Sequence, residues 1–201
     1  MHLVALSQRV DIDERRGERR DALDQRWIGL LAACGALPLP VPNCAESAVA
    51  LLAHGRPDAL ILTGGNDLAA YGGNAPERDA AEAAIVAWAR THRVPVLGVC
   101  RGMQMLVHLL GGTLRRIGGH AGTRHRVQLA GGTAEVNSYH DWAVDRLPPG
   151  CLPRAVAEDG SVEGFQHDRE NLTGLMWHPE REPSYAESDL AVIRDLFVPH
   201  P

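Results

Sequence analysis

The sequence predicts an α/β protein built around a mostly parallel central sheet, and three observations support this. In the first half of the chain, short apolar runs alternate with longer segments of helical spacing, the pattern of βαβ units. Val94–Val99 carries no polar side chain, which is typical of a strand buried on both faces of a parallel sheet. Later in the chain, short predicted strands follow one another, and we expect them to add antiparallel strands at one edge.

The elements of the first half follow from apolar spacing and from the positions of glycine and proline. Leu3–Leu6 is a predicted strand, and the charged stretch Asp11–Arg20 is predicted to be turn-like. Apolar residues in Asp21–Ala33 recur at helical spacing and end just before Gly35. The remaining elements predicted here are strands at Pro38–Val41, Asp58–Leu62 and Val94–Val99 and helices at Glu46–His54, Arg78–Arg90 and Gly102–Leu110.

The second half changes pattern after Gly111-Gly112, where helical spacing gives way to short strands. A final helix is predicted at Ser188–Phe197. We find no internal repeat and no low-complexity linker, so we predict one domain spanning residues 1–201. The predicted strands are Arg126–Leu129, Thr133–Val136, Arg154–Ala157, Ser161–Gln166 and Leu172–Trp177.

Composition excludes several classes of protein. Of the 201 residues, 45% are hydrophobic and 22% are charged, which is typical of a globular chain. A net charge of −5 argues against binding nucleic acid by phosphate neutralisation, and the longest apolar runs are too short to cross a membrane. The N-terminal apolar run is also too short for a signal peptide. The cysteines form no Cys-x-x-Cys pair, so we expect neither a disulfide scaffold nor a structural zinc site, and we expect a cytoplasmic location.

The segment Val96-Leu97-Gly98-Val99-Cys100-Arg101-Gly102 places a cysteine between a buried strand and a helix. This Gly-x-Cys-x-Gly arrangement is the cysteine form of the nucleophile elbow, a sharp turn that presents a reactive side chain above the sheet. Glycines flank such a turn because side chains there would collide with neighbouring backbone. The helix N-terminus and the adjacent Arg101 favour a thiolate. Cys100 is therefore the predicted nucleophile.

A free cysteine is more often a small buried hydrophobic residue than a nucleophile. The two glycines around Cys100 favour the nucleophile, because a Gly-x-Cys-x-Gly turn is costly if it serves packing alone. Since this motif is only moderately specific by itself, the assignment depends on finding a base elsewhere in the chain.

The segment Gly174-Leu175-Met176-Trp177-His178-Pro179-Glu180 supplies a histidine at the end of a predicted strand. A thiolate nucleophile needs an acid–base partner, and that partner needs a group that orients it. Residues two apart on an extended segment project to the same side, so Glu180 is predicted to hold the His178 ring. Alone, the His-Pro-Glu sequence would be an ordinary surface loop; together with the cysteine elbow it predicts a triad.

These segments together resemble the class I glutamine amidotransferase-like superfamily, and the resemblance extends across most of the chain. Thr63-Gly64-Gly65-Asn66-Asp67 is similar to the glycine-rich oxyanion strand of that family. The resemblance implies a flavodoxin-like three-layer α/β sandwich with a mostly parallel central sheet. It also implies a Cys-His-Glu triad and an oxyanion site made by two backbone amides. The residues implied are Cys100, His178 and Glu180 for the triad and Gly65 and Arg101 for the oxyanion site.

Further motifs follow the order seen in the γ-glutamyl hydrolase branch of this superfamily. Ser7–Val10 and Arg20–Trp27 are, more narrowly, similar to the γ-glutamyl-CDP-amidate hydrolases of capsular phosphoramidate synthesis. Asp141-Trp142 stands where a His-Gln pair is common in the branch, which leaves the identity of the released amine open. The branch motifs are Arg78-Asp79-x-x-Glu82, Gly98–Gln104, Gly111–Leu114, His120, His125–Val127 and Asn137-Ser138-Tyr139-His140.

Six further residues are predicted to bind substrate. For Gln104, a side chain that faces solvent or caps a neighbouring group is an equal alternative to substrate binding. Trp142 could stack on a base of the substrate. His120, His125 and His140 match no standard metal-ligand spacing, so we predict no bound metal and no cofactor. The substrate-binding residues are Gln104, Asn66, Ser138, Tyr139, His140 and Trp142.

An arginine-rich stretch near the N-terminus is interspersed with acidic residues. Such a run is usually a solvated face, but arginines would also bind the phosphates of a phosphorylated substrate. The sequence leaves these two roles open. The arginines are Arg9, Arg15, Arg16, Arg19 and Arg20.

The function predicted is hydrolysis of a γ-glutamyl amide through a γ-glutamyl thioester on Cys100, releasing glutamate and an amine. The substrate is a small molecule, and γ-glutamyl-CDP-amidate is one candidate, which would place the enzyme in capsule modification. Two alternatives stay open: a glutaminase subunit that delivers ammonia to a synthase partner, and a non-catalytic binding module. The oligomeric state is also open, with a homodimer among the assemblies allowed.

Overall fold

The computed structural model describes residues 1–198, and within them the chain forms thirteen strands and five α-helices. The strands are β1 (His2–Leu6), β2 (Arg9–Asp13), β3 (Glu18–Ala22), β4 (Ala36–Pro40), β5 (Ala59–Leu62), β6 (Val96–Val99), β7 (Thr113–Arg116), β8 (Thr123–Leu129), β9 (Gly132–Ser138), β10 (Trp142–Arg146), β11 (Cys151–Ala157), β12 (Val162–His167) and β13 (Leu172–Leu175). The helices are α1 (Arg26–Ala33), α2 (Ala45–Gly55), α3 (Pro76–His92), α4 (Arg101–Leu109) and α5 (Glu187–Asp195).

Nine strands form one sheet in the order β4-β1-β5-β6-β13-β12-β11-β8-β9. The first five strands are mutually parallel, and β13, β12, β11, β8 and β9 pair in antiparallel fashion. Neighbours within the parallel part are separated in sequence by helices, because a parallel connection must return along the length of the sheet. The prediction of an α/β fold with a mostly parallel central sheet and antiparallel strands at one edge is confirmed.

Helices cover both faces of the parallel part of this sheet, which gives three layers. Alternate residues of a strand point to opposite faces, so β5 contributes to two separate cores. Ile61 packs in the same core as Trp27 of α1 and Ile193 of α5, whereas Leu62 packs in the core that contains Leu52 of α2 and Ile85 of α3. All four residues of β5 and all four of β6 are buried, as expected for strands between two helical layers.

Two predictions for the N-terminal region are wrong. Asp11–Arg20 is not a turn-like stretch: it lies mostly in a two-stranded hairpin of β2 and β3, whose turn contains Gly17 with a φ of 66°. The helix predicted from Asp21 begins only at Arg26. The hairpin was missed because most of its side chains are charged and exposed. Val10 and Ile12 do alternate with charged residues in β2, but β3 has no such alternation, so the pair of strands gave no matching signal.

The other predicted elements are present, with ends that shift by a few residues. A second small sheet of β7 and β10 was not predicted, and it lies beside α4. Among residues 1–198, no helix is long and apolar enough to cross a membrane.

Candidate active site

Three sequence-predicted segments meet at the carboxyl edge of the parallel strands. β5 leads into Gly64-Gly65, β6 leads directly into Cys100, and β13 is followed two residues later by Trp177-His178. β5, β6 and β13 are consecutive neighbours in the sheet, so their carboxyl ends lie side by side. This is the edge at which α/β sheets of this kind bind their ligands.

Cys100 occupies the sharp turn predicted for a nucleophile elbow. Its backbone lies at φ 52° and ψ −107°, a conformation that side-chain-bearing residues rarely adopt. A Cβ at Gly98 would lie 2.5 Å from the Gly102 carbonyl oxygen, and a Cβ at Gly102 would overlap the backbone of Leu62. Both glycines are therefore required by close backbone contacts, and the turn sets Cys100 at the N-terminus of α4.

His178 and Glu180 are paired as predicted, although by a different backbone geometry. The Nδ1 atom of His178 lies 2.6 Å from Oε1 of Glu180, and both side chains are buried. Pro179–Arg181 forms a short 3-10 helical turn, so the extended geometry predicted for this segment is wrong. With Nδ1 occupied by the carboxylate, Nε2 is the nitrogen available to the Cys100 sulfur.

The electrostatic surroundings of Cys100 and His178 favour the charged form of both groups. Burial on its own raises the pKa of Cys100, but the charge and hydrogen bond of His178, with smaller effects from His140 and the Arg101 amide, bring that pKa below its ordinary value. Burial lowers the pKa of His178, while Cys100 and Glu180 raise it, with a final value of about 9. The pair is therefore favoured as a thiolate beside an imidazolium.

The side chain of Arg101 does not supply the positive charge that the sequence predicts beside the thiolate. Its guanidinium is buried and forms ion pairs with Glu82 and Asp79 of α3. What Arg101 offers to the sulfur is its backbone N–H, which donates a hydrogen bond to Cys100. The oxyanion role implied for the Arg101 amide stays a prediction, and the side-chain charge is neutralised by Glu82 and Asp79.

Arg78 holds the glycine loop after β5, a role that sequence reasoning did not assign. Its guanidinium donates to the carbonyl oxygens of Thr63 at 2.6 Å, Gly64 at 3.0 Å and Gly65 at 2.6 Å. Arg78 is fully buried, and its Nε also donates to Glu82 at 2.9 Å. Glu82 therefore bridges Arg78 and Arg101, and it joins the glycine loop to the cysteine elbow.

Asn137 fixes the backbone of His178, and this residue was also missed. The Asn137 side chain accepts a hydrogen bond from the His178 N–H at 2.9 Å and donates one to the His178 carbonyl at 2.8 Å. The sequence offered Asn137 only as part of the branch motif at the end of β9. Its contact partner is distant in sequence, so no local pattern could reveal the role.

Of the residues predicted to bind substrate, Tyr139 and His140 border the candidate triad. Tyr139 is 48% exposed, and its ring meets the His178 ring edge-on at 5.6 Å. Arg181 stacks over Tyr139 at 4.6 Å. His140 is buried and close enough to lower the pKa of Cys100. Ser138, between Asn137 and Tyr139, is completely buried. Contact between these residues and a substrate stays a prediction.

Asn66, Gln104 and Trp142 are engaged mainly with other parts of the protein. Asn66 bonds both the N–H and the carbonyl of Val10, at 2.8 and 3.0 Å, and so ties β2 to the glycine loop. Gln104 is buried rather than solvent-facing, and it donates to the Trp142 carbonyl at 3.3 Å. Arg116 lies over the Trp142 ring at 4.2 Å, so a base could stack on Trp142 only by replacing this contact.

Gly64→Ala is expected to displace the imidazole of His178. A Cβ at Gly64 would lie 2.5 Å from Cε1 of the His178 ring, so the ring must move away from the position it holds between Cys100 and Glu180. We expect kcat to fall by about 100-fold or more, since small displacements of a catalytic group cost this much. Gly118→Ala is the matched control, because a Cβ there would meet no neighbour within 4 Å. Equal kinetics of the two variants would contradict this placement of the ring.

Sequence comparison identifies the family to which this geometry belongs. Residues 31–198 match the family described as glutamine amidotransferase class-I. The chain belongs to the class I glutamine amidotransferase family. A relative in Campylobacter jejuni, γ-glutamyl-CDP-amidate hydrolase, is 31% identical over 198 residues, with 96% of each chain covered. The predicted resemblance is thereby confirmed at the level of the family, and this relative is itself a hydrolase.

Solved structures agree with the family fold. A Thermoplasma acidophilum protein, proposed to be part of a GMP synthase, superposes with a TM-score of 0.74 at 18% identity and covers 98% of this chain and 93% of its own. A glutamine amidotransferase of Thermotoga maritima gives a TM-score of 0.67, also at 18% identity, over 90% of this chain and 77% of its own. At such low identity these likenesses establish the fold of this family member and nothing about its substrate.

Proposed function

We propose that this family member hydrolyses a γ-glutamyl amide by covalent catalysis at Cys100. The observation that carries the proposal is the arrangement Cys100–His178–Glu180, in which the thiol pKa is lowered and the imidazole pKa is raised to about 9. A thiolate with a protonated neighbour is what acyl transfer from an amide requires, because the sulfur attacks and the departing nitrogen takes a proton.

The proposed reaction has two halves. In the first, Cys100 attacks the γ-carbonyl, and the backbone N–H groups of Gly65 and Arg101 stabilise the oxyanion. His178 gives its proton to the leaving nitrogen, which leaves a γ-glutamyl thioester and a free amine. In the second, His178 takes a proton from water, which attacks the thioester and releases glutamate and the Cys100 thiolate. Glu180 keeps the imidazole oriented throughout.

The pH dependence of kcat/KM provides a test of the ion pair. The proton on His178 is lost as pH rises through about 9, so the acid for the leaving nitrogen disappears and kcat/KM is expected to fall there. In Cys100→Ser, the charge and hydrogen bond that raise this pKa are removed, and the pKa of His178 should fall below about 9. Imidazole titration by NMR in both proteins measures this shift. An unchanged His178 pKa in Cys100→Ser would contradict the pairing.

A nucleoside diphosphate amidate is the substrate we propose, on the strength of the Campylobacter jejuni relative. Arginine is well suited to diphosphate recognition. Arg9 is the arginine of the β2–β3 hairpin that packs against the glycine loop, since its side chain would contact a Cβ placed at Gly65 at 3.3 Å. Its present partner is Asp11 at 2.7 Å, in a half-exposed ion pair that a phosphate could replace.

Arg9→Gln is expected to raise KM for a γ-glutamyl nucleotide amidate by about tenfold, because a charge-assisted hydrogen bond is lost. The KM for a phosphate-free γ-glutamyl amide should not change. Arg16→Gln is the matched control, because Arg16 pairs with Asp13 at the far end of the hairpin. If both variants behave as the unmodified enzyme on both substrates, the diphosphate assignment is wrong while the amide hydrolase remains.

The alternative of an ammonia-delivering glutaminase subunit has the same chemistry at the same residues. The two functions differ in whether the isolated chain is active. We expect the purified chain to hydrolyse a γ-glutamyl amidate rapidly and glutamine slowly. Slow turnover of every γ-glutamyl amide, relieved only by a synthase partner, would favour the glutaminase subunit.

A further inference from the structure

Three histidines and one glutamate converge beside the candidate triad without taking part in its proposed reaction. His120 precedes β8, His125 lies in β8, His140 follows β9, and Glu163 lies in β12. His120, His140 and Glu163 are all buried. Sequence spacing indicated no metal site here, because the four residues come from three segments, around β8, after β9 and in β12, which meet only in the folded chain.

The hydrogen-bond partners of His120 and His140 determine which nitrogen of each ring carries its proton. His120 Nε2 lies 3.0 Å from a carboxylate oxygen of Asp159, so Nε2 is the donor. The other oxygen of Asp159 accepts hydrogen bonds from the Ser161 N–H at 2.9 Å and the Ser161 hydroxyl at 2.6 Å, as an ionised carboxylate does. His140 Nδ1 donates to the Trp142 carbonyl at 3.0 Å. In the neutral rings, Nδ1 of His120 and Nε2 of His140 are left with lone pairs.

These two lone pairs face each other and a carboxylate oxygen. His120 Nδ1 is 3.3 Å from His140 Nε2, and Glu163 Oε1 is 3.4 Å from the former and 3.3 Å from the latter. Three acceptors at these separations repel one another unless a proton or a metal ion lies between them. A tetrahedral ion with bonds of about 2.0–2.1 Å has ligand atoms about 3.3–3.4 Å apart, which matches the observed triangle.

A second observation points to the same place. Oε2 of Glu163 and Nε2 of His125 are buried and have no hydrogen-bond partner within the described residues, and they lie 3.6 Å apart. Glu163 is only 1% exposed, so an unpaired carboxylate oxygen there is costly. Ligand atoms of His120, His125 and Glu163 also lie within 4.8 Å of one another. His125 is therefore placed as a fourth donor.

We propose that His120, His125, His140 and Glu163 bind one divalent transition-metal ion of the Zn²⁺ type. Imidazole and carboxylate donors suit such an ion, and four protein ligands fill a tetrahedral shell. Asp159 and the Trp142 carbonyl accept hydrogen bonds from the other nitrogens of His120 and His140. They thereby orient the two rings, as hydrogen-bond partners of metal-bound histidines generally do. The ion joins β8, β12 and the segment after β9, and so stabilises the wall that carries Tyr139 and Asn137 next to His178.

The test uses the full chain, freed of metal with a chelator and then titrated with Zn²⁺ or Co²⁺. Calorimetry and elemental analysis should show one ion per chain, with a rise in unfolding temperature. The Co²⁺ form should show the visible absorption of a tetrahedral nitrogen and oxygen site without sulfur-to-metal charge transfer. Cys100→Ser should bind equally well, which separates this site from a thiolate that captures metal.

Variants locate the ion. Asp159→Asn should weaken Zn²⁺ binding by about 10–100-fold, as loss of an orienting carboxylate does. Glu163→Gln should weaken Zn²⁺ binding further. If this buried substitution unfolds the chain, His125→Gln takes its place as the variant that removes a ligand. His54→Gln, at an exposed histidine outside the cluster, is the control. Three results would each overturn the proposal: no stoichiometric binding, the appearance of a sulfur-to-metal charge-transfer band, or unchanged affinity in Asp159→Asn and His125→Gln. A proton would then hold the cluster together.

Discussion

Cys100→Ser is expected to reduce turnover of a γ-glutamyl amide by at least about 10⁴-fold, the scale seen when a nucleophile is removed. A serine hydroxyl is a far weaker acid than a thiol, so it does not ionise in surroundings that suffice to ionise Cys100, and the attacking anion is lost. The two side chains differ little in volume, and Cys100 is 6% exposed. The unfolding temperature and circular dichroism should therefore stay close to those of the unmodified protein.

The matched control is Cys44→Ser. Cys44 is an exposed free cysteine that precedes α2 and follows β4, the strand at the end of the sheet, with β1 and β5 between β4 and β6. This variant should retain full activity. Substantial activity in Cys100→Ser, or loss of activity in Cys44→Ser with Cys100 intact, would show that the nucleophile has been misassigned.

Glu82→Gln is expected to destabilise the protein by about 3–5 kcal/mol, because it removes one partner from a buried ion-pair network. Glu82 is completely buried and lies between the guanidinium groups of Arg78 and Arg101, which are also buried. Without the carboxylate, Arg78 loses its ion-pair partner and Arg101 keeps Asp79. Urea denaturation with a linear extrapolation measures this loss.

Glu77→Gln provides the comparison for Glu82. Glu77 lies in the same helix and pairs with Arg19, but both side chains are at least one-third exposed. An exposed pair contributes about 0–1 kcal/mol, so this variant should unfold almost as the unmodified protein does. Equal free energies of unfolding for the two variants would contradict the structural role assigned to Glu82. Because Arg78 also holds the carbonyls of the glycine loop, kcat of folded Glu82→Gln should fall as well.

The part of the site that sequence reasoning predicted is the part governed by local backbone rules. Gly98 is demanded by its contact with Gly102 inside the elbow, whereas Gly102 is demanded by the backbone of Leu62 in the neighbouring strand β5. The elbow was predicted because the Gly-x-Cys-x-Gly pattern itself stands at a junction of strand and helix. The helices and strands of the parallel half follow from hydrophobic spacing in the same way. The pairing of His178 with Glu180 was predicted for the right residues, although Pro179 starts a 3-10 turn and the segment is not extended.

What sequence reasoning did not predict depends on long-range contacts. The direction of the Arg101 guanidinium is decided by Glu82 and Asp79 in another helix, so a charge beside the thiolate was wrongly expected. Asn137 reaches His178 across 41 positions in sequence. The β2–β3 hairpin is held by cross-strand backbone bonds and by Asn66, which bonds Val10 across 56 positions in sequence.

The most direct test is the mapping of covalent modification by a glutamine analogue that carries an electrophile at the γ-position. Intact-mass analysis of the unmodified enzyme should show one adduct per chain, and peptide mapping should place it on Cys100. Pretreatment with a γ-glutamyl substrate should slow the labelling, and Cys100→Ser should show none. Labelling on Cys44 instead, or no labelling under conditions in which the enzyme turns over its substrate, would contradict covalent catalysis at Cys100.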